Sequence, residues 1–249
     1  MKMNGMKRHE VIGIVGKYWD EGMWSSSVVN SKLVNFIYES GGIPLVLPLH
    51  SNSYGDDTDI QMDYLTIDPT DITIIDRFLN MCDGVILQGG LRPAAQEVQV
   101  ASMCINYDIP ILGICAGFNN MARATNIPIY KMHKTRYGKS TPYLRYHNVE
   151  DDDIYRHPIT LNQSSKLYDI VKCKTMSVNS IHQTYLMRER AERYTDQIII
   201  SSVAKDDTVE SFEFKNKRFA MAVKWHPELM KGNKYSKQLL NAFMEECKK

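Results

Sequence analysis

The chain has 249 residues, of which 43% are hydrophobic and 24% charged, and its 30 Lys and Arg nearly balance its 29 Asp and Glu. This composition is typical of a globular domain and excludes a disordered or a membrane-embedded chain. The net charge of +1, without a basic stripe, disfavours binding to nucleic acid or to an anionic membrane.

The amino-terminal region and the cysteines indicate the cell compartment. Only one five-residue apolar run, Val11 to Val15, follows the polar start, and it is too short for a signal-peptide core or a membrane span. Five cysteines without a C-x-x-C pair indicate neither a disulfide framework nor a zinc site. His133, His147 and His157 lack ligand spacing with one another. We therefore expect a cytoplasmic protein without a metal or another cofactor.

The first half alternates short β-rich runs with helical stretches, which is typical of a parallel sheet with crossover helices. A stretch from Ser51 to Asp71 contains six Asp and no Lys or Arg, and we interpret it as a surface loop. A helix is predicted to begin after Thr70 or Asp71, at the end of this loop. The other predicted elements are strands at 11–15, 43–47, 84–87 and 109–114 and helices at 25–40 and 94–107.

The second half is richer in strands. After Asn126 the alternation gives way to an irregular stretch, and then strands are predicted at 158–161, 175–178, 197–203, 209–214 and 219–223, with a closing helix at 233–247. Without an internal repeat or a Gly/Ser/Pro-rich linker, residues 1–249 are predicted to form a single domain. The predicted class is α/β, with an open, mostly parallel central sheet, flanking helices and a strand-rich second half.

The most informative segment is Ile111-Leu-Gly-Ile-Cys-Ala-Gly-Phe118, a strand that runs into G-x-C-x-G. Glycines two residues on either side of Cys115 permit the tight strand-to-helix turn of a nucleophile elbow. That turn places the sulfur at a helix amino terminus, where the backbone N–H groups and the helix dipole favour the thiolate. The alternative is that Cys115 is a buried small apolar residue, which is the usual role of a free cysteine.

A base near the end of the chain favours the catalytic interpretation. The run from Ala220 to Glu228 combines a predicted strand with His226 and, two residues later, Glu228. A carboxylate at this spacing can orient the imidazole ring and stabilise its charged form, as in a Cys-His-acid triad.

Paired glycines end the strand that begins after Cys82 and Asp83. Gly89 and Gly90 leave backbone N–H groups unobstructed, and an oxyanion needs two such donors. The N–H groups of Gly90 and Ala116, which directly follows the nucleophile, are the natural pair.

These segments carry a family resemblance. The series D-G-V-I-L-Q-G-G, P-I-L-G-I-C-A-G, V-N-S-I-H-Q and V-K-W-H-P-E resembles the class I glutamine amidotransferase-like superfamily. The segment from Val34 to Pro48 and the V-N-S-I-H-Q run favour its gamma-glutamyl hydrolase branch, which includes the gamma-glutamyl-gamma-aminobutyrate hydrolases. The resemblance implies a flavodoxin-like α/β sheet with Cys115 as nucleophile, His226 as base and Glu228 as orienting acid.

The chain also departs from that branch. Ala116 and Asn119 stand where its members usually carry Arg and Gln, and only 24 residues separate Gly90 from Cys115, which is closer to a true glutaminase. Asn119 and His182 are the candidate substrate-binding residues. His182 lies in V-N-S-I-H-Q, which matches a family segment close to the active site, although a lone histidine is more often structural.

Three functions remain open at this point. The first is a hydrolase of a small-molecule gamma-glutamyl substrate that acts through a thioester and releases glutamate and an amine. The second is a glutaminase that delivers ammonia to a synthase partner, which the short spacing before Cys115 favours. The third is a non-catalytic ligand-binding protein on the same frame, whose expected signature is loss of a triad residue. The sequence retains all three triad residues.

Overall fold

In the computed structural model the described residues are 9–20, 23, 25–48, 68–90, 94–131, 156–182 and 184–249. The strands are β1 Val11–Val15, β2 Lys17–Asp20, β3 Ser25–Val28, β4 Ile43–Leu47, β5 Gly84–Leu87, β6 Ile111–Ile114, β7 Tyr130–Lys131, β8 Arg156–Leu161, β9 Thr175–Asn179, β10 Thr184–Tyr185, β11 Ile198–Ala204, β12 Val209–Phe214 and β13 Ala220–Val223. The α-helices are α1 Ser31–Glu39, α2 Pro69–Leu79, α3 Ala95–Tyr107, α4 Ala116–Arg123, α5 Lys166–Val171, α6 Arg188–Ala191 and α7 Lys234–Cys247.

The central feature is a nine-stranded sheet with the order β4-β1-β5-β6-β13-β12-β11-β8-β9. From β4 to β13 every pairing is parallel. From β13 to β9 every pairing is antiparallel. The α/β class predicted from the sequence is therefore confirmed, with the first half of the chain forming the parallel part and the strand-rich second half completing a mixed sheet.

Buried apolar side chains form two clusters, one on each face of this sheet. Strand β5 shows the division, because Val85 and Leu87 belong to one cluster and Ile86 to the other. Successive residues of a strand point to opposite faces. A strand buried on both faces needs a continuous apolar run, as this one has.

Two helix starts differ from the prediction. Ser25–Val28, predicted as the start of a helix, form β3 and pair with β2. The helix begins only at Ser31, after Asn30, whose side chain accepts a hydrogen bond from the Lys32 N–H at 2.9 Å. Helix α2 begins at Pro69 rather than after Thr70, because the Asp68 side chain caps it.

Some predicted features lie outside the described residues. These are the acidic loop from Ser51 as far as residue 67, and the irregular stretch at 132–155, which includes His133 and His147. Within the described part, no helix is long and apolar enough to cross a membrane. The same part of the chain contains no group of three or more His, Cys, Asp or Glu that could hold a metal ion.

One edge of the sheet gathers the candidate residues. Strands β1, β5, β6 and β13 are parallel, so their carboxyl ends meet at this edge, and the antiparallel β12 begins there. Lys17 follows β1, Gly89 follows β5, Cys115 follows β6 and His226 follows β13. In open α/β sheets this carboxyl edge is where ligands bind.

Candidate active site

Cys115 sits in a strained turn between β6 and α4. Its backbone has φ 53° and ψ −96°, which is an uncommon conformation for a residue other than glycine. A Cβ on Gly117 would lie 2.2 Å from the Leu87 carbonyl oxygen, and one on Gly113 would lie 2.8 Å from the Gly117 carbonyl oxygen. The turn therefore needs both glycines, and it has the strand-to-helix geometry that the sequence predicted for an elbow at Cys115.

His226 and Glu228 meet beside this elbow. The His226 Nδ1 atom lies 2.7 Å from Glu228 Oε1, and both side chains are largely buried. Asn179, at the end of β9, fixes the histidine backbone, because its Oδ1 accepts from the His226 N–H at 2.8 Å and its Nδ2 donates to the His226 carbonyl at 2.9 Å. The sequence analysis missed this role of Asn179, although the residue lies in the V-N-S-I-H-Q segment.

The electrostatics of this group favour a thiolate–imidazolium pair. Burial opposes ionisation of Cys115, but the charge and hydrogen bond of His226, together with the Lys224 ammonium, outweigh burial and lower the pKa of the thiol. Burial likewise opposes protonation of His226, but Glu228 and Cys115 together raise its pKa well above the ordinary histidine value. In such a pair the thiol would need no separate deprotonation step before it attacks a carbonyl carbon.

Three other cysteines have pKa values that are raised, in contrast to the lowered pKa of Cys115. Burial raises the pKa of Cys82 to about 12. Burial also raises the pKa values of Cys104 and Cys247. Cys104 and Cys247 are buried and Cys82 is half-buried against the apolar core, and thiols with raised pKa values are weak nucleophiles at neutral pH.

The two predicted glycines lie against functional side chains. A Cβ on Gly89 would come within 2.4 Å of the His226 Cε1 atom, so the imidazole packs directly on this glycine. A Cβ on Gly90 would come within 2.7 Å of the Lys17 Cε atom. Ala116 is the first residue of α4, as an oxyanion donor next to the nucleophile requires. The pairing of the Gly90 and Ala116 N–H groups as an oxyanion hole remains a prediction.

A buried ion pair between Lys17 and Glu97 holds the lysine side chain that packs against Gly90. The Lys17 Nζ atom lies 2.6 Å from both carboxylate oxygens of Glu97 on α3, and Glu97 has no exposed surface. The Lys17 stem, in turn, covers Gly90. On α4, Arg123 donates to Asn120 Oδ1 at 3.1 Å, and both side chains interact with Glu97. This network connects the two elements that carry the predicted oxyanion donors, and the sequence analysis did not identify it.

Asn119 is also held in place. Its Oδ1 accepts a hydrogen bond from Lys224 Nζ at 2.6 Å, and its Nδ2 donates to Thr184 Oγ1 at 2.9 Å. Lys224 donates to the same Thr184 oxygen at 2.9 Å. Burial lowers the pKa of Lys224 to about 8. The structure thus places Asn119 beside a buried lysine that the sequence analysis passed over.

His182 lies in a second buried cluster at the same edge. Its Nδ1 donates to the Thr184 carbonyl oxygen at 3.0 Å, and its Nε2 lies 3.8 Å from Glu210 Oε1. The preceding residue, Ile181, places its carbonyl oxygen 3.6 Å from the Cys115 sulfur. His157 approaches Glu210 Oε1 to 3.7 Å. His182 is therefore close to Cys115, and Glu210 is a further candidate residue that the sequence analysis missed.

Comparison with known proteins places the chain in a family of hydrolases and amidotransferases. The family model for Peptidase C26 matches residues 92–228, a range that includes the elbow cysteine and the His-Pro-Glu run. A glutamine amidotransferase-like protein of Rickettsia prowazekii (strain Madrid E) is 28% identical over 249 residues, covering 85% of this chain and 86% of that protein. The CTP synthase of Streptococcus equi subsp. equi (strain 4047) is 23% identical over 81% of this chain, which spans only 41% of that enzyme.

Two solved structures share the fold. The glutaminase domain of Trypanosoma brucei CTPS with bound acivicin superposes with a TM-score of 0.65, at 17% identity, covering 96% of this chain and 94% of that one. A GMP synthase component of Thermoplasma acidophilum gives a TM-score of 0.62, at 15% identity, covering 97% and 96% of the two chains. With a family model that matches more than half of its length, the chain belongs to the Peptidase C26 family, which is class I glutamine amidotransferase-like.

Proposed function

We propose that this protein is a cysteine-dependent hydrolase that cleaves the gamma-glutamyl amide bond of a small molecule. The observation that carries the proposal is the arrangement at the elbow. A thiol with a lowered pKa lies beside an imidazole with a raised pKa, which is 2.7 Å from a buried carboxylate. Opposite pKa shifts of a thiol and an imidazole, in a preformed thiol–imidazole–carboxylate series, favour covalent catalysis over a structural role.

The proposed reaction has two half-reactions. The Cys115 thiolate attacks the side-chain amide carbon, and the resulting tetrahedral oxyanion would be stabilised by the Gly90 and Ala116 N–H groups. The His226 imidazolium then protonates the departing amine as the C–N bond breaks and a thioester forms. In the second half-reaction, neutral His226 takes a proton from water, the hydroxide attacks the thioester, and glutamate leaves. Glu228 orients the ring throughout and stabilises its charged form.

A glutaminase that supplies ammonia to a synthase partner is the second candidate. The CTP synthase relatives and the glutaminase domain of Trypanosoma brucei CTPS support it. The reaction at Cys115 is the same in both proposals, and only the leaving amine and its destination differ. A non-catalytic role on this frame receives less support, because Cys115, His226 and Glu228 are all retained and lie together.

The decisive experiment supplies the purified protein with a panel of gamma-glutamyl amides, glutamine included, and measures released glutamate by mass spectrometry. We expect sustained release from at least one amide and none from the Cys115→Ala variant. Release from glutamine alone, at a rate that rises when a synthase is added, would favour the glutaminase. A panel without any turnover would contradict both enzymatic proposals.

A further inference from the structure

The side chain of Asn179 connects the far edge strand of the sheet to His226, and the proposed reaction steps do not use it. Asn179 is the last residue of β9, and His226 follows β13. Three strands lie between β9 and β13, so strand spacing alone would leave the two residues roughly 19 Å apart, or four spacings of about 4.8 Å. The two strands run in the same direction, so both residues lie at the same edge of the sheet. Their contact therefore spans the whole antiparallel half of the sheet.

Asn179 holds both backbone polar groups of His226. Its Oδ1 atom accepts from the His226 N–H at 2.8 Å, and its Nδ2 atom donates to the His226 carbonyl oxygen at 2.9 Å. Opposite residues of an antiparallel strand pair exchange two bonds in the same pattern, and a primary amide offers one acceptor and donors side by side. The Asn179 side chain thus takes the place of a neighbouring strand for one residue, beyond the end of β13 at Val223.

Strand pairing fixes the chain before His226 but not His226 itself. The Val223 carbonyl accepts from the Cys115 N–H at 2.9 Å, and the Lys224 N–H donates to β12 at 2.8 Å. Beyond this point, the backbone hydrogen bonds that the described residues give to His226 come from Asn179 and from the turn that follows. The thiol and the imidazole are therefore held by different parts of the sheet.

The turn after His226 carries its carboxylate partner. The His226 carbonyl also accepts from the Leu229 N–H at 3.2 Å, and this bond closes the short 3-10 helix Pro227–Leu229. Within the turn, Glu228 Oε1 lies 2.7 Å from His226 Nδ1. A shift of the His226 backbone would therefore move the imidazole and its carboxylate together, relative to the thiol.

Asn179 is itself firmly placed. Its backbone pairs with Arg156 of β8, and the residue is only 6% exposed. A buried amide costs free energy unless its polar atoms are bonded. Both hydrogen bonds that the structure shows for this side chain go to His226.

We propose that Asn179 is a positioning residue that, through the His226 backbone, holds the imidazole against Cys115 and so sustains the reactivity of the thiol. This inference rests on the proposed function, in which His226 is the base. An amide carries no charge, so Asn179 acts on the thiol by placing the ring. The lowered pKa of Cys115 depends on the charge and the hydrogen bond of His226, and both interactions weaken as the distance grows.

The first test measures thiol labelling and requires no turnover. In Asn179→Ala we expect iodoacetamide to label Cys115 about tenfold more slowly at pH 7, with a pH profile shifted towards that of His226→Ala. In the His226→Ala background, Asn179→Ala should slow labelling no further. A wild-type profile in Asn179→Ala would overturn the inference. So would a further loss in the His226→Ala background, because Asn179 would then act through another contact, such as the Ile181 carbonyl 3.6 Å from the Cys115 sulfur.

The matched control is Asn162→Ala. Asn162 also bonds to backbone through both ends of its amide, because its Nδ2 donates to the Ile200 carbonyl at 3.0 Å and its Oδ1 accepts from the Ser164 N–H at 3.0 Å. It follows β8, which runs antiparallel to β9, and so lies at the opposite edge of the sheet. We expect Asn162→Ala to keep the wild-type labelling profile.

A second variant restores the hydrogen bonds within one protein. In Asn179→Asp, the protonated carboxyl has the size of the amide and offers an acceptor and a donor, whereas the ionised form lacks the donor. Burial raises the pKa of such a carboxyl. As the pH falls from about 8 to about 5, the labelling rate of Asn179→Asp should therefore approach the wild-type rate, while Asn179→Ala stays slow. Equal rates of the two variants at the low end would contradict the inference, and this variant also serves if Asn179→Ala fails to fold.

Turnover separates this inference from the proposed function. With a gamma-glutamyl amide, Asn179→Ala should lower kcat by about 10- to 100-fold with KM nearly constant, because a misplacement of about 1 Å has a cost of this order. An unchanged kcat would count against Asn179 as a positioning residue. If the wild type hydrolyses no amide, the proposed function fails, and the labelling experiments still decide whether Asn179 holds the imidazole against the thiol.

Discussion

The two sides of Cys115 differ in how their buried charges are paired. On the parallel side, which we call the oxyanion side, Lys17 and Glu97 satisfy each other at 2.6 Å. On the antiparallel side, the charge of Lys224 acts on the Glu210 carboxylate, but the Glu210 Oε2 atom has no hydrogen-bond partner among the described residues.

The difference indicates what each side is built to do. A closed ion pair can fix a backbone segment such as Gly90, but it has no capacity left for a ligand. An unsatisfied buried carboxylate costs stability, and proteins keep such groups mainly at functional sites. The oxyanion side is therefore suited to holding N–H donors, whereas the antiparallel side keeps a buried carboxylate whose hydrogen bonding is incomplete.

The largest expected effect comes from breaking the acid–base group between the two sides. His226→Ala should lower kcat by about a millionfold, close to the loss of the nucleophile, because the ring serves both half-reactions. Glu228→Gln should cost about ten-thousandfold and leave measurable activity, because the ring is still held but can adopt the wrong tautomer. Single-turnover kinetics on a gamma-glutamyl amide measures both variants. Equal losses would show that Glu228 does more than orient the ring.

A smaller loss of kcat is expected from a change at Gly89, where the oxyanion side contacts His226. The added Cβ of Gly89→Ala would meet the His226 Cε1 atom at 2.4 Å and displace the ring. We expect a drop in kcat of about 100-fold with little change in thermal stability, because a misplacement of about 1 Å has a cost of this order. The control is the same change in the His226→Ala protein, where no further loss should occur. A further loss in that background would place the damage elsewhere.

Breaking the Lys17–Glu97 ion pair of the oxyanion side should lower kcat by less than the Gly89→Ala change does. Lys17→Met keeps the stem that covers Gly90 and removes the bond to Glu97. We expect kcat to fall by about 10- to 100-fold with KM nearly constant, because an oxyanion donor acts mainly in the transition state. Iodoacetamide should still label Cys115 at the wild-type rate, since alkylation needs no oxyanion hole.

The control for Lys17→Met is Glu192→Gln, which breaks the exposed pair with Arg188 and should change nothing measurable. A parallel loss of alkylation rate in Lys17→Met would mean that Lys17 supports the thiolate rather than the oxyanion loop.

The smallest effect concerns the pH dependence of thiol labelling. Because its pKa is lowered, the alkylation rate of Cys115 should fall less than that of the other cysteines as the pH falls from 9 to 7. The rate at Cys82, whose pKa is about 12, should fall about tenfold per pH unit. Mass spectrometry of the labelled peptides measures both. In His226→Ala the thiolate loses its partner, and labelling of Cys115 at pH 7 should slow; uniform labelling of the cysteines would contradict the elbow.

The sequence predicted those parts of the fold that depend on local pattern. The apolar run of β5, the alternation of strands and helices in the first half, and the G-x-C-x-G turn are all properties of contiguous residues, and the structure contains them. The predicted helix at 25–40 was wrong at its start. Its serines pair with β2, and strand pairing depends on the partner as well as on intrinsic propensity.

The candidate site likewise has features that the local sequence encodes and features that arise only from tertiary contacts. By itself, the sequence determined the elbow and the spacing of His226 and Glu228, because the glycines and the two-residue offset encode them locally. Only the tertiary structure revealed the Lys17–Glu97 pair, 80 residues apart, the contact of Asn119 with Lys224, 105 residues apart, and the unsatisfied oxygen of Glu210. The physical reason is that burial and partnership decide the role of a charged side chain, and both arise only when parallel and antiparallel strands meet at one edge of the sheet.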